Sequence, residues 1–168
     1  MSEESTATPK PKKSVALSGT VAGNTALCSV GRTGNDLHYR GYDILDFADK
    51  AEFEEVAYLL VHEKLPTRAE LDGYKKKLRG LRFLPKELKN CLEQIPKSAH
   101  AMDVMRTGCS VLGTLEREKD SHPADGARDI ADRLMASFGS MLLYWFHFQN
   151  SGKRIETQTD DDSIGGHY

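Results

Sequence analysis

The chain has 168 residues and a net charge of -2, with 23 Lys and Arg against 25 Asp and Glu. This length is sufficient for one domain with its own core, and the near balance of charge gives no long-range attraction for nucleic acid. Cys28, Cys91 and Cys109 are too few and too scattered for a disulfide framework or a Cys-x-x-Cys metal site. We therefore expect reduced thiols and a protein that does not bind nucleic acid.

The first segment, residues 1–13, consists mainly of Ser, Thr, Glu, Pro and Lys. Such a composition cannot bury enough apolar surface to offset the entropy of ordering, so we expect a disordered arm. The segment also lacks the apolar stretch that a signal peptide needs after a basic start. The most apolar run, 141–148, is much shorter than the ~20 residues that span a bilayer. These features predict a cytoplasmic protein without a membrane partner.

Short β-branched segments punctuated by glycine occupy residues 14–41. Two of them, 25–30 and 36–40, are separated by the turn cluster 31–35. This spacing predicts a small β-hairpin ahead of the helices.

Helical periodicity begins in the segment 53–60, where apolar residues recur at intervals of three and four. Thr67 and Glu70 are spaced as a capping box, which predicts a second helix running to about Arg82. Two further helices are predicted over 85–93 and 100–116, with a loop over 119–125.

The longest predicted helix follows that loop and has a continuous apolar stripe. Between Met141 and Phe148 it is apolar nearly all round, and only about five helices are available to cover it. We assign Trp145 and its neighbours to the core or to a dimer interface. We expect the isolated chain to self-associate or to form a loosely packed helical state, and we expect Trp145→Ser with Phe148→Ser to improve solubility if the exposed sides of these residues drive association. The stripe comprises Ile130, Leu134, Phe138, Met141, Trp145 and Phe148.

Three sequence blocks, in a fixed order, resemble the start of the citrate synthase family. They are 34–46, which contains Tyr-Arg-Gly, then Phe-Glu-Glu-Val-Ala-Tyr-Leu-Leu at 53–60, and Leu-Pro-Thr at 65–67. The resemblance covers the chain after Lys13. Four further blocks, 22–28, 101–108, 126–132 and 160–167, resemble the 2-methylcitrate synthase branch of that family.

The resemblance implies a homodimeric enzyme that joins an acyl-CoA to oxaloacetate in a Claisen-type condensation, with propionyl-CoA as the acyl donor in this branch. Coenzyme A thioester is then a substrate, and no cofactor is needed. The implied fold is all-α, with residues 14–168 as the N-terminal part of the large helical domain, the β-hairpin at its start, and the small C-terminal domain absent.

In the family an aspartate acts as the base and two histidines act as donors, and all three lie later in the chain. No residue here therefore receives a catalytic role, and we expect the 168-residue chain alone to be inactive. Two alternatives remain open: a citrate synthase that uses acetyl-CoA, and a non-catalytic helical module for dimerisation or scaffolding.

The basic run on the second helix is the one candidate substrate site. Lys77 is the residue favoured to meet a coenzyme A phosphate or a substrate carboxylate, although charge runs on helices usually form solvated faces. The carboxylates of 160–162 suggest a cation ligand, but the family needs no metal and we predict none. The run comprises Lys75, Lys76, Lys77, Arg79 and Arg82.

The six histidines do not form a metal-ligand pattern such as His-x-x-x-His. We expect structural or surface roles for them, and a capping or core role for His100, which opens a family block. They are His38, His62, His100, His122, His147 and His167.

Overall fold

The computed structural model describes residues 20–21, 23–31, 34–116 and 124–168, and the side chains of Ala124 and Asp125 are not described. The arm predicted over 1–13 lies outside these ranges, as does the predicted loop up to residue 123. Within the described ranges no helix is both long and apolar enough to cross a membrane.

The predicted hairpin is confirmed and gains a third strand. Strands β1 (Cys28–Val30), β2 (Leu37–Tyr39) and β3 (Tyr42–Asp43) form an antiparallel sheet in that order. The turn between β2 and β3 consists of Arg40 and Gly41, which both have positive φ values of 49° and 90°. Two such residues match the twist of a tight hairpin turn.

Arg40 fastens this sheet to the first helix. Its Nη2 donates to the Leu60 carbonyl oxygen at 3.0 Å and lies 3.4 Å from the Glu63 carboxylate. The hydrogen bond and the ion pair join the turn to the end of α1, at a residue whose backbone conformation is rare for a non-glycine residue. Arg40 thus anchors the hairpin against α1.

The five long helices predicted from periodicity are all present, which confirms the mostly helical fold. The capping box is confirmed, because Thr67 Oγ1 accepts from the Glu70 amide at 3.4 Å while Glu70 accepts from the Thr67 amide at 2.8 Å. The second helix ends two residues earlier than predicted, and the fifth begins inside the predicted loop. The helices are α1 (Phe53–His62), α2 (Arg68–Gly80), α3 (Lys86–Gln94), α4 (Ala101–Leu115), α5 (Ala124–Ser151) and α6 (Ile164–His167).

Helix α5 is the element on which the others pack. On one side it forms the main core with α3 and α4, where Gly108 of α4 faces the Met141 side chain so closely that a side chain at 108 would collide with it. On the other side Ala136 joins a smaller core with Ala57 of α1 and Leu78 of α2. The main core comprises Leu84, Leu88, Leu92, Val104, Leu112, Met141, Tyr144 and Trp145.

Trp145 lies in the core, which is one of the two places predicted for it, and it has no uncovered side to drive association. Helices α3 and α4 close over it, so it is 6% exposed, and its indole Nε1 donates to the Ile95 carbonyl oxygen at 3.1 Å. Phe148 is partly buried, with the Arg154 guanidinium 5.8 Å from its ring centroid. Phe146 is the side chain of this stretch that faces solvent, at 51% exposed.

Two matched substitutions separate core from surface on α5. Trp145→Ser removes a buried ring and its hydrogen bond, which costs about 3–5 kcal/mol and lowers the melting temperature by on the order of 10 °C. Phe146→Ser is expected to change stability by less than about 1 kcal/mol and to reduce self-association, since it removes exposed apolar surface. Thermal melts and light scattering on both variants measure this. Equal destabilisation by the two substitutions would contradict the burial described here.

Candidate functional site

The predicted substrate residue Lys77 lies at the contact of α2 and α5. Its Nζ is 2.7 Å from Asp129 Oδ1 and 2.6 Å from Asp132 Oδ2. Burial alone would lower the pKa of Lys77, but the hydrogen bonds to the two carboxylates raise it above its ordinary value. The ammonium group is therefore firmly charged and already holds two anions. Its role as a substrate contact stays a prediction.

Asp132 is the buried centre of this arrangement, which we call the Lys77 cluster and define as Tyr74, Lys77, Asp129 and Asp132. The Asp132 side chain is 0% exposed, and its second oxygen accepts from the Tyr74 hydroxyl at 2.6 Å. Burial and this carboxylate both raise the pKa of Tyr74. Both Asp132 oxygens are thus occupied and out of reach of a substrate, so the cluster joins two helices rather than offering a free base.

His62 borders the Lys77 cluster from α1. Its ring stacks on Tyr58 with centroids 4.2 Å apart and meets the Tyr74 ring edge-on at 5.5 Å. Burial lowers the pKa of His62, and its Nε2 has no hydrogen-bond partner among the described residues. The neutral imidazole is therefore an aromatic packing element of the smaller core.

The other members of the basic run do not share one solvated face. Lys75 pairs with Glu52, and Arg79 Nη1 donates to Asp162 Oδ1 at 2.8 Å. Arg82, just past the end of α2, is 0% exposed. The run therefore divides into separate ion pairs and one buried guanidinium, and it does not form a continuous phosphate-binding surface.

The acidic run 160–162 lies just before α6 and contributes to its cap. Asp161 Oδ1 accepts from the Ser163 amide at 3.0 Å, and Ser163 Oγ accepts from the Gly166 amide at 2.8 Å. A side chain at Gly166 would collide with the Asp161 carboxylate, so this close turn requires glycine. With Asp161 occupied in capping and Asp162 bound to Arg79, these carboxylates have structural partners. Across the described ranges no three His, Cys, Asp or Glu side chains are arranged to hold a metal ion.

His100 caps α4, as expected, because its Nδ1 accepts from the Met102 amide at 3.2 Å. His167 lies between two hydroxyl groups, with Nε2 2.9 Å from Ser140 Oγ and Nδ1 2.8 Å from Thr159 Oγ1. A serine nucleophile needs an accessible oxygen and an oriented base, but Ser140 is 1% exposed and a hydroxyl, not a carboxylate, occupies the second nitrogen. His122 lies outside the described residues.

A second basic region lines a cavity of about 250 Å³ beside α3. There the Glu93 carboxylate accepts two bonds from Arg154 at 2.8 and 2.9 Å and one from the Tyr144 hydroxyl at 2.7 Å. Arg154 and Tyr144 lower the pKa of Glu93 to about 2, so it stays ionised and offsets part of the local positive charge. This region ties the chain after α5 back onto α3.

An apolar cavity of about 360 Å³ lies beside α5. Phe146 is 51% exposed there and Tyr168 is 65% exposed. An apolar surface of this kind is typical of a contact with another protein surface rather than of a polar substrate site. The lining residues are Ala101, Leu142, Leu143, Trp145, Phe146 and Tyr168.

The sequence analysis did not identify the buried charged residues that connect the helices. They are Glu54, Arg82, Asp132 and Arg133. Arg133 is 5% exposed and donates from Nε to Glu116 at 2.9 Å and from Nη1 to the carbonyl oxygens of Leu81 and Phe83. Asp132 lies four residues before Ala136, which packs in the smaller core, so the two residues fall on the same side of α5.

Comparison with known proteins identifies a matching family over most of the chain. The family model described as "Citrate synthase, C-terminal domain" matches residues 16–168. The chain is 55% identical to a 2-methylcitrate synthase of Shewanella oneidensis over 152 residues, which are 90% of this chain and 40% of that protein. The chain thus spans about two fifths of the length of this relative.

Solved structures agree with the fold. A citrate synthase from Thermotoga maritima superposes with a TM-score of 0.71 at 30% identity, covering 89% of this chain and 38% of that one. The fold is also similar to that of citrate synthase from Thermoplasma acidophilum, solved in a ternary complex with carboxymethyl coenzyme A and oxaloacetate, with a TM-score of 0.77 at 24% identity, covering 90% of this chain and 40% of that one. The chain belongs to the citrate synthase family.

Proposed function

We propose that this chain is part of a cytoplasmic 2-methylcitrate synthase, which condenses propionyl-CoA with oxaloacetate to give 2-methylcitrate and coenzyme A. The observation that carries the proposal is the 55% identity to a 2-methylcitrate synthase over 90% of the chain. The four blocks 22–28, 101–108, 126–132 and 160–167, which resemble the same branch, support the proposal.

The condensation requires a base for the proton next to the thioester, a donor for the resulting enol, and cations for the oxaloacetate carboxylates. The strongest candidate groups in the described part of the chain are already paired: Asp132 with Tyr74 and Lys77, and Glu93 with Arg154. The role proposed for these residues is therefore to build the helical scaffold, while the chemistry belongs to residues of the complete enzyme.

A second copy of the chain is the proposed partner. The apolar cavity on α5 and the exposed ring of Phe146 provide the kind of surface that an obligate homodimer buries. The same surface supports the rival proposal of a non-catalytic helical module. Catalysis by the complete protein separates the two, because a scaffold requires dimerisation but no turnover.

The function is tested by expressing the complete reading frame that contains this chain. We expect a higher kcat/KM for propionyl-CoA than for acetyl-CoA, with oxaloacetate as acceptor and free thiol release as the readout. A preference for acetyl-CoA would favour citrate synthase, and dimerisation without turnover would favour the scaffold.

The 168-residue chain by itself is expected to show no thiol release above the uncatalysed background at saturating propionyl-CoA and oxaloacetate. The reason is the lack of a base and of enol donors, not weak substrate binding. The matched control is the complete protein at the same concentration. Turnover by the chain alone would place catalytic groups among residues that we assign to the scaffold.

Lys77 offers a separate test of substrate contact against structural pairing. Lys77→Met leaves the buried Asp132 without its cation, and after discounting for the exposed part of Lys77 we expect a loss of about 1 kcal/mol and of roughly 3 °C in melting temperature. Lys76→Met, on the exposed side of α2, is the matched control and should change little. Unchanged stability with weakened substrate binding in the complete enzyme would instead support a substrate role for Lys77.

A further inference from the structure

The last ten residues, 159–168, are held against α1, α2 and α5 by side chains distant in sequence, and we call them the C-terminal segment. The contacts come mainly from one buried cation and one buried anion outside the segment, and from one histidine within it that reaches α5. We propose that Arg82 and Glu54 are positioning residues that form a latch for the C-terminal segment, and that His167 makes this latch responsive to pH.

Arg82 is the centre of the latch. It is 0% exposed, and its guanidinium donates from Nη1 to the Asp161 carbonyl oxygen at 2.7 Å and from Nη2 to the Ser163 carbonyl oxygen at 2.7 Å. Nη1 also lies 3.3 Å from Thr159 Oγ1. A planar guanidinium can serve acceptors in several directions at once, whereas a lysine ammonium is a point charge. Arg82 therefore fixes both the path and the orientation of the segment.

Glu54 holds the same segment from α1. Its carboxylate, on a residue 1% exposed, accepts from the Ile164 amide at 2.6 Å. A charged acceptor at the first residue of α6 satisfies an amide that has no partner within the helix, and it favours the positive end of the helix dipole. The two residues thus bind adjacent backbone groups. Arg82 donates to the carbonyl oxygens of Asp161 and Ser163, and Glu54 accepts from the Ile164 amide.

His167 closes the far end of the latch. In one tautomer of the neutral ring, Thr159 Oγ1 accepts from Arg82 and donates to His167 Nδ1 at 2.8 Å, while His167 Nε2–H donates to Ser140 Oγ at 2.9 Å. Protonation of the ring would make Thr159 Oγ1 accept from two cations, His167 and the buried Arg82. The position of Arg82 therefore disfavours the charged imidazole.

The charges around this histidine favour its neutral form. Burial lowers the pKa of His167, and the positive charge of Arg82 lowers it further, against an opposing effect of Asp161. The remaining charged groups of the latch are Arg79 and Asp162, which pair with each other at 2.8 Å, and Glu54. The folded pKa lies below the unfolded value of about 6.5, so the stabilisation is full above that pH and is lost as pH falls through the folded pKa.

Hydrogen exchange on the 168-residue chain tests the latch directly. In Arg82→Met we expect amides of the C-terminal segment to exchange at least about tenfold faster, while amides of α3 and α4 keep their protection. Arg79→Met is the matched control, because Arg79 binds the same segment from a partly exposed position, and its effect should be smaller. Unchanged exchange in the segment, or equal loss of protection throughout the chain, would overturn a positioning role for Arg82.

The pH response is tested by following the His167 imidazole by NMR and by comparing exchange at pH 7.5 and 5.5 after correction for intrinsic rates. We expect the segment to lose protection at the lower pH, and we expect the pKa of His167 to rise in Arg82→Met. His167→Gln, which can still donate and accept, should keep protection at pH 7.5 and lose the pH response. An unaltered response in this variant would overturn the assignment to His167.

Glu54→Gln keeps the test decisive if Arg82→Met does not fold. It retains an acceptor for the Ile164 amide but removes the charge, so a smaller loss of protection confined to the C-terminal segment is expected. Protection equal to that of the parent chain at Ile164 would rule out the proposed part of Glu54 in the latch.

Discussion

Two opposite charges buried side by side on α5 constrain the whole arrangement. Asp132 accepts from Tyr74 and Lys77 of α2, while Arg133 donates to Glu116 after α4 and to the Leu81 and Phe83 carbonyl oxygens between α2 and α3. Leaving either charge buried without its partner would cost several kcal/mol. These bonds can form only when the neighbouring helices lie in one position relative to α5. Apolar packing alone would restrict that position less strictly.

The helices were predictable because their signals are local. Apolar spacing and the Thr67–Glu70 capping box depend only on residues within one or two turns, and the structure reproduces both. The buried charges were not predictable in the same way. Arg82 belongs to a basic run, and periodicity assigns such residues to a solvated surface; its burial depends on carbonyl oxygens about 80 residues away. Contacts at that separation leave no local pattern.

The exposure of α5 was overestimated for a related reason. A helix that is apolar nearly all round is expected to contact other helices on several sides. The pattern does not indicate how many helices pack against the same side. Here α3 and α4 converge on the same stripe, which buries Met141 and Trp145 and leaves Phe146 in solvent. Five helices thus close a core of their own, and among the described large apolar side chains of α5 only Phe138 and Phe146 are exposed.

Polar and apolar contacts therefore have different parts in this chain. Hydrogen bonds need partners at defined distances and angles, so the latch and the Lys77 cluster determine where the helices and the C-terminal segment lie. Apolar contacts are non-directional. Burying the region around Phe146 therefore gives the same free energy per unit of area whether a second copy or another part of a longer enzyme covers it. The buried charges therefore fix the internal geometry of this chain, and the exposed apolar face is left available for a contact that places few constraints on the orientation of its partner.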